Sequence, residues 1–259
     1  MKYEPLTTIY LLLLLCSAQF IGLLITQRYY SLTLPYAISP PAVSDGFSVT
    51  YLIGGVILMS IIFYLFTRLR YEKLLRLWFS TAIVISLAVS FSVFIGDVMG
   101  LVLAIILTVL RVYTRDLYVH NLTELFIYGG IISIFAPLFT PVSAIIVLVI
   151  IAVYDYLSVF VTKHMIYLAK SQESVNVFTG LIVKNKSETA ILGGGDIAFS
   201  LLFASVLGSA YGFTYAYLSV YATLFAISAL TILGRRGKFY PAMPFITAAC
   251  LFSYALVLI

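Results

Sequence analysis

The hydrophobic pattern of the chain is a succession of long apolar runs broken by short polar connections. Nine runs are legible, at about 8–27, 48–67, 77–95, 97–110, 122–139, 142–162, 190–208, 213–232 and 239–259. A helix needs roughly 20 apolar residues to cross the hydrocarbon core of a bilayer. The pattern therefore predicts an all-α polytopic membrane protein with nine transmembrane helices, folded as a single membrane domain over 1–259. The first run does not read as a cleavable signal peptide. Tyr29 and Tyr30 stand at its far end, where a small-residue cleavage site is required.

Composition sharpens this reading. Of 259 residues, 63% are apolar and 10% charged, against about 25% charged in soluble domains. Mean hydropathy is +1.11. So few charges cannot cover a water-facing surface, and a soluble globule is excluded. Cys16 and Cys250 both lie inside apolar runs, which excludes a disulfide scaffold. The net charge of +5 is first a topology signal, and no basic cluster points to nucleic acid. The twenty tyrosines fall often near run ends, as an interfacial aromatic belt does.

The weakest boundary is Gly96-Asp97, between the third and fourth runs. Nine separate spans place 14 of the 15 Lys and Arg residues on one side and only Arg28 on the other. Merging the two runs gives 10 against 5. The positive-inside rule prefers the first arrangement. It places the N-terminus in the cytoplasm, the C-terminus outside and Asp97 in a tight outer turn. The sizeable cytoplasmic connection is then 163–189. Within it, residues 175–183 (VNVFTGLIV) are rich in β-branched residues.

Eight of the ten carboxylates read as terminal, loop or run-end residues, with Glu124 beginning the fifth run. Asp155 in the sixth run and Asp196 in the seventh lie within spans that hold no Lys or Arg. A central ionised Asp costs roughly 2.5–3.5 kcal/mol on insertion scales. Counted along the runs, both lie roughly 9–11 Å below the cytoplasmic ends of their helices, so they can face each other. Two such carboxylates share a proton, and one can activate water while the other protonates a carbonyl oxygen. Charge placement alone fits a proton-relay or structural pair in a transporter equally well.

The flanking residues separate these readings. Asp196 follows Gly193-Gly194-Gly195, which weakens a helix start and removes bulk where a backbone must approach. Pro241-Ala242-Met243-Pro244 stands near the start of the last run, and prolines disturb the turn they follow. Tyr154-Asp155, Gly193-Gly194-Gly195-Asp196 and Pro241-Ala242-Met243, in this order, resemble the presenilin and signal peptide peptidase family of intramembrane aspartyl proteases. That family carries Tyr-Asp, Gly-x-Gly-Asp and Pro-Ala-Leu on its sixth, seventh and ninth helices. Met243 departs from the usual leucine by a volume-conserving change. The short 163–189 connection makes the chain most like a compact archaeal-type presenilin homologue.

The resemblance implies a presenilin-like bundle, with about 1–139 as scaffold and 140–259 carrying the site. It implies that Asp155 and Asp196 are catalytic, and that Tyr154, Gly193, Gly194, Gly195, Pro241, Ala242 and Met243 support the active site or bind substrate. The implied reaction is hydrolysis of peptide bonds in transmembrane proteins or peptides, with N-outside substrates preferred. Water is the nucleophile, no metal or cofactor is needed, and no obligatory accessory subunit or nucleic acid is expected. The alternative is a cation or proton channel or secondary transporter using the two aspartates as an ion site. Zinc and Ser-His proteolysis fit poorly, since there is no His-Glu-x-x-His and no histidine after His164. His120 and His164 read as interfacial residues. Segment 175–183 is expected to add to an unwound substrate as a strand, the alternative being a plain connecting loop.

Overall fold

The computed structural model of the chain describes residues 3–39, 72–114, 116–160, 179–185, 188–234 and 240–259, with a few isolated positions between 50 and 62. Eight α-helices form the described architecture: α1 (Pro5–Tyr29), α2 (Glu72–Ile95), α3 (Asp97–Thr114), α4 (Leu117–Phe135), α5 (Pro141–Phe160), α6 (Gly194–Tyr211), α7 (Phe213–Leu233) and α8 (Met243–Val257). The second run, 48–67, lies largely outside the described residues. The sixth, seventh and ninth runs therefore correspond to α5, α6 and α8.

Helix ends follow local chemistry. Pro5 opens α1 after Glu4, and Pro141 opens α5, positions where the missing N–H costs nothing. The Asp116 carboxylate caps α4 by accepting the Tyr118 N–H at 2.8 Å. Gly96, at φ +82°, turns the chain sharply between α2 and α3. The stretch 77–110 is thus two helices, as the charge distribution predicts.

The nine-span expectation is met only in part, with the second run largely outside the described residues, and the helical reading of the start of the seventh run needs correction. Among the described residues, seven helices are long and apolar enough to span a membrane, and α8 is shorter at 15 residues. Fifteen residues rise about 22 Å, short of the roughly 30 Å hydrocarbon core. A count of nine spanning helices is not established. Nor is the chain wholly helical. Gly180–Lys184 (β1) and Thr189–Gly193 (β2) form an antiparallel hairpin in which Leu181 stands opposite Leu192 and Val183 opposite Ala190. The seventh run, expected to be helical from 190, is strand up to Gly193.

The core is built around α6. Ile197, Leu201, Phe203, Val206 and Leu207 are all buried, with α1, α4, α5, α7 and α8 packed against this helix. Lipid tails are as apolar as leucine, so helix association rests on close packing and polar contacts. Both are present. Gln19 of α1 donates from Nε2 to the Ile197 carbonyl at 3.1 Å and to Ser200 Oγ at 2.6 Å. Gly130 of α4 lies so close to the Ser86 carbonyl of α2 that an added methyl group would overlap it. Large apolar side chains such as Val98, Met99, Phe225 and Phe252 face outward, as a surface solvated by lipid requires.

Candidate active site

Asp155 sits one turn from the end of α5 and is 6% exposed. Its Oδ2 accepts the main-chain N–H of Met243 at 3.1 Å, and the Ala242 N–H reaches the same carboxylate. Pro241 and Met243 are buried, and α8 starts at Met243 with Pro244 in its first turn. The first N–H groups of a helix have no partner inside it. Here they meet a carboxylate, which a helix N-terminus favours. The Pro241-Ala242-Met243 segment thus presents backbone donors to Asp155, a role that spacing in the sequence does not reveal.

Asp196 is the third residue of α6 and is partly buried. Because β2 runs to Gly193, Asp196 lies in the first turn of its helix. The equal depth of roughly 9–11 Å inferred from helix arithmetic does not hold, since strand occupies the first part of that span. The helices that carry the two carboxylates, α5 and α6, pack against each other and both pack against α8.

The three glycines before Asp196 differ in their surroundings. A methyl on Gly194 would stand 2.9 Å from the Tyr128 hydroxyl and 3.2 Å from Thr179 Cβ. On Gly193 it would stand 3.5 Å from Asp196 Oδ2, and on Gly195 it would meet nothing nearer than the Phe199 ring at 3.9 Å. Gly194 therefore serves internal packing, whereas Gly195 is exposed beside Asp196. Tyr154 is 63% exposed on the outer side of α5, unlike its buried neighbour Asp155.

A third carboxylate escaped the sequence reading. Glu124 is not at a helix start. It lies two turns into α4 with 0% exposure. Its Oε1 accepts Arg111 Nη2 at 2.5 Å, and its Oε2 accepts the Gly180 N–H at 3.0 Å and the Tyr128 hydroxyl. Arg111, counted above as a topology charge, is also buried and donates from Nη1 to Thr123 Oγ1 at 2.6 Å. His120, read as interfacial, bonds the Gly180 carbonyl through Nε2 at 2.8 Å. A polar residue four after Asp116, on a helix that Asp116 caps, is the signal that could have marked this interior face.

Residues 11–259 match the family described as signal-peptide peptidase, presenilin aspartyl protease. The chain belongs to this family. It is an intramembrane aspartic endopeptidase and an integral, multi-pass membrane protein. Two solved structures of a presenilin family intramembrane aspartate protease are similar to it. In the C222 crystal form the TM-score is 0.70 at 17% identity, covering 96% of this chain and 97% of that one. In the P2 form it is 0.67 at 19% identity, covering 100% and 99%. At these identities the likeness shows a shared fold. Comparison with curated proteins returns no match. Membership in the presenilin aspartyl protease family favours hydrolysis over the ion-site alternative.

Proposed function

We propose that Asp155 and Asp196 are the catalytic pair of this protease. One carboxylate removes a proton from water as its oxygen attacks the scissile carbonyl carbon, and the other protonates the carbonyl oxygen. Collapse of the diol breaks the C–N bond, and the amide nitrogen leaves with a proton. The observation that carries the assignment is the buried Asp155 carboxylate held by the Met243 N–H, where α5, α6 and α8 pack together. Gly193 and Gly195 leave space beside Asp196, Gly194 lets the turn pack against Tyr128 and Thr179, and Pro241, Ala242 and Met243 hold Asp155. The test is cleavage of a membrane-spanning peptide by purified wild type, Asp155→Ala and Asp196→Ala. Activity confined to wild type supports the pair, and near-normal cleavage by either variant removes it.

Substrate addition as a strand is retained, but at a different edge. Segment 175–178 lies outside the described residues, and the outward N–H and C=O groups of Gly180 and Ile182 in β1 are already bonded by α4 side chains. In the hairpin, Gly194 donates to Thr179 and Asn185 to Glu188. By the alternation of an antiparallel ladder, Thr189, Ile191 and Gly193 then point their backbone groups away from β1. This outer edge of β2 runs straight to Asp196, and we assign the substrate strand to it. The Tyr3 hydroxyl lies at the Ile191 main chain, and an added strand replaces it.

The remaining parts of the reading rest on charge distribution and on the resemblance to compact members of the presenilin branch. The N-terminus is cytoplasmic and the C-terminus outside, the substrates are N-outside transmembrane segments, and the enzyme acts without an accessory subunit. Residues 1–259 form one membrane domain whose first 139 residues act as scaffold.

A further inference from the structure

We propose that His120, Asn121 and Glu124 of α4 are positioning residues. They stand in for a third strand on the outer edge of β1, and thereby fix the hairpin that leads into the helix start holding Asp196. This rests on the assignment of Asp196 as catalytic.

Four backbone groups of β1 face away from β2: the N–H and C=O of Gly180 and of Ile182. Backbone groups of an edge strand that are buried away from water need partners. All four are met by side chains of one helix. His120 Nε2 lies 2.8 Å from the Gly180 carbonyl, which can only accept, so the imidazole donates. The Gly180 N–H donates to Glu124 Oε2 at 3.0 Å. Asn121 behaves as a peptide unit, donating from Nδ2 to the Ile182 carbonyl at 2.7 Å and accepting the Ile182 N–H at Oδ1, 3.0 Å away. Residues i, i+1 and i+4 share one helix face, so α4 presents a column of donors and acceptors that matches alternate residues of the strand.

The column is itself fixed from behind. Arg111 holds Glu124, and the Thr123 hydroxyl, which receives Arg111, donates to the His120 carbonyl at 2.8 Å. The Tyr128 hydroxyl binds the same Glu124 carboxylate and packs where Gly194 lacks a side chain. One network therefore grips the start of β1 and the chain two residues before Asp196. Closing one edge of the sheet also leaves β2 as the side where a further strand can add.

The consequence for catalysis is register. A substrate strand on β2 presents its scissile bond to the carboxylates in a place set by the pose of the hairpin. A hairpin gripped on its far edge holds one pose. A hairpin released from α4 holds several, and the bonds cut become several too.

The experiment uses the purified full-length protein and a membrane-spanning peptide, with products mapped by mass spectrometry and kcat and KM measured. Asp196→Ala serves as control. Asn121→Leu removes both bonds to Ile182 while keeping side-chain size. It is expected to lower kcat about tenfold to hundredfold, as small misplacements do, and to spread cleavage onto neighbouring bonds. His120→Gln keeps an N–H donor for the Gly180 carbonyl and is expected to retain the wild-type product pattern, whereas His120→Leu spreads it. Loss of folded protein lowers the rate without changing which bonds are cut, so the pattern separates positioning from stability. Where Asn121→Leu leaves too little product to map, the His120 pair decides. Equal patterns from His120→Gln and His120→Leu, or a wild-type pattern from Asn121→Leu, overturn the inference. Cleavage by Asp196→Ala overturns instead the catalytic assignment on which it rests.

Discussion

The main-chain N–H of Met243 donates to the side-chain carboxylate of Asp155 across 3.1 Å, joining the start of α8 to the end of α5. With Asp155 as the proposed catalytic residue, the bond adds a structural duty that can be separated from the chemical one. Asparagine at 155 still offers an oxygen to the Met243 N–H but cannot exchange protons as a carboxyl does. Asp155→Asn is therefore expected to be inactive at wild-type thermal stability. Asp155→Ala is expected to be inactive and less stable by about 1–3 kcal/mol, the cost of a buried donor left without a partner. Peptide cleavage and melting of the detergent-solubilised variants check both. A double Asp155→Ala, Asp196→Ala variant should be little worse than either single one, because the residues act as a unit.

The adjacent glycines should answer differently to alanine. At Gly194 the new methyl meets the Tyr128 hydroxyl at 2.9 Å and Thr179 at 3.2 Å, inside a network that cannot move freely. Gly194→Ala is expected to lower the melting temperature and the yield of folded protein. At Gly195 the methyl meets only ordinary contact with Phe199 and improves helix propensity by up to about 1 kcal/mol. Gly195→Ala is expected to be at least as stable as wild type but slower in cleavage, since the methyl projects beside Asp196 where substrate backbone must pass. Full activity in Gly195→Ala would show that this side of the turn is not the substrate's side.

The Arg111–Glu124 pair should behave as a unit. Removing one partner leaves the other charge buried and is expected to cost about 3–5 kcal/mol, whereas replacing both costs much less. Arg111→Met and Glu124→Gln are each expected to reduce folded yield sharply, and the double variant to recover a large part of it. A double-mutant cycle on unfolding measures the coupling. Additive losses would mean that the two side chains do not depend on each other.

Most of the helical frame was legible because a bilayer makes sequence simple: a helix surrounded by lipid must be apolar along its length. The catalytic candidates were legible for the converse reason. Asp155 and Asp196 interrupt that apolarity, and the residues around them form a recognisable ordered set. The hairpin was not. Thr189-Ala190-Ile191-Leu192 continues directly into an apolar helix, and a short apolar stretch does not distinguish strand from helix. Its available signals were two β-branched stretches flanking the polar Lys184-Asn185-Lys186-Ser187, and the glycines that stop the strand. Glu124 was missed because the apolar run begins at 122, whereas the Asp116 cap starts the helix at Leu117. The role of Asn121 depends on a partner some sixty residues away, and local sequence does not encode it.

Proline distinguishes the two edges of the hairpin. Proline removes one backbone N–H and is tolerated on the open side of an edge strand. Ile191 faces outward by the ladder alternation, so Ile191→Pro is expected to leave the fold intact and to abolish most cleavage. Leu192→Pro removes a bond to β1 and is expected to destabilise the hairpin itself. Cleavage and limited proteolysis of the two variants give the readouts. Normal cleavage by Ile191→Pro would remove β2 as the substrate edge.

Orientation is tested with paired reporters carrying one apolar span in opposite directions, co-expressed with the enzyme. A peptide chain has polarity, so an inverted helix offers its carbonyl to the wrong side of the carboxylates. The N-outside reporter is expected to be cut preferentially. Equal cutting, or preference for the N-inside form, would contradict the assigned topology.

Arg111 and Glu124 also bear on how the protein is made. They lie thirteen residues apart, one near the end of α3 and the other two turns into α4. Helices enter a membrane from the translocation machinery one after another, and a lone charged helix is penalised by roughly 2.5–3.5 kcal/mol at the bilayer centre. Arg111 emerges first, close enough to its helix end to wait at the interface with its long stem extended. Glu124 has a much shorter side chain and no such refuge. Its helix becomes comfortable in lipid only once the guanidinium meets it. Pairing α3 with α4 through these two charges therefore lowers the cost of keeping Glu124 within the bilayer.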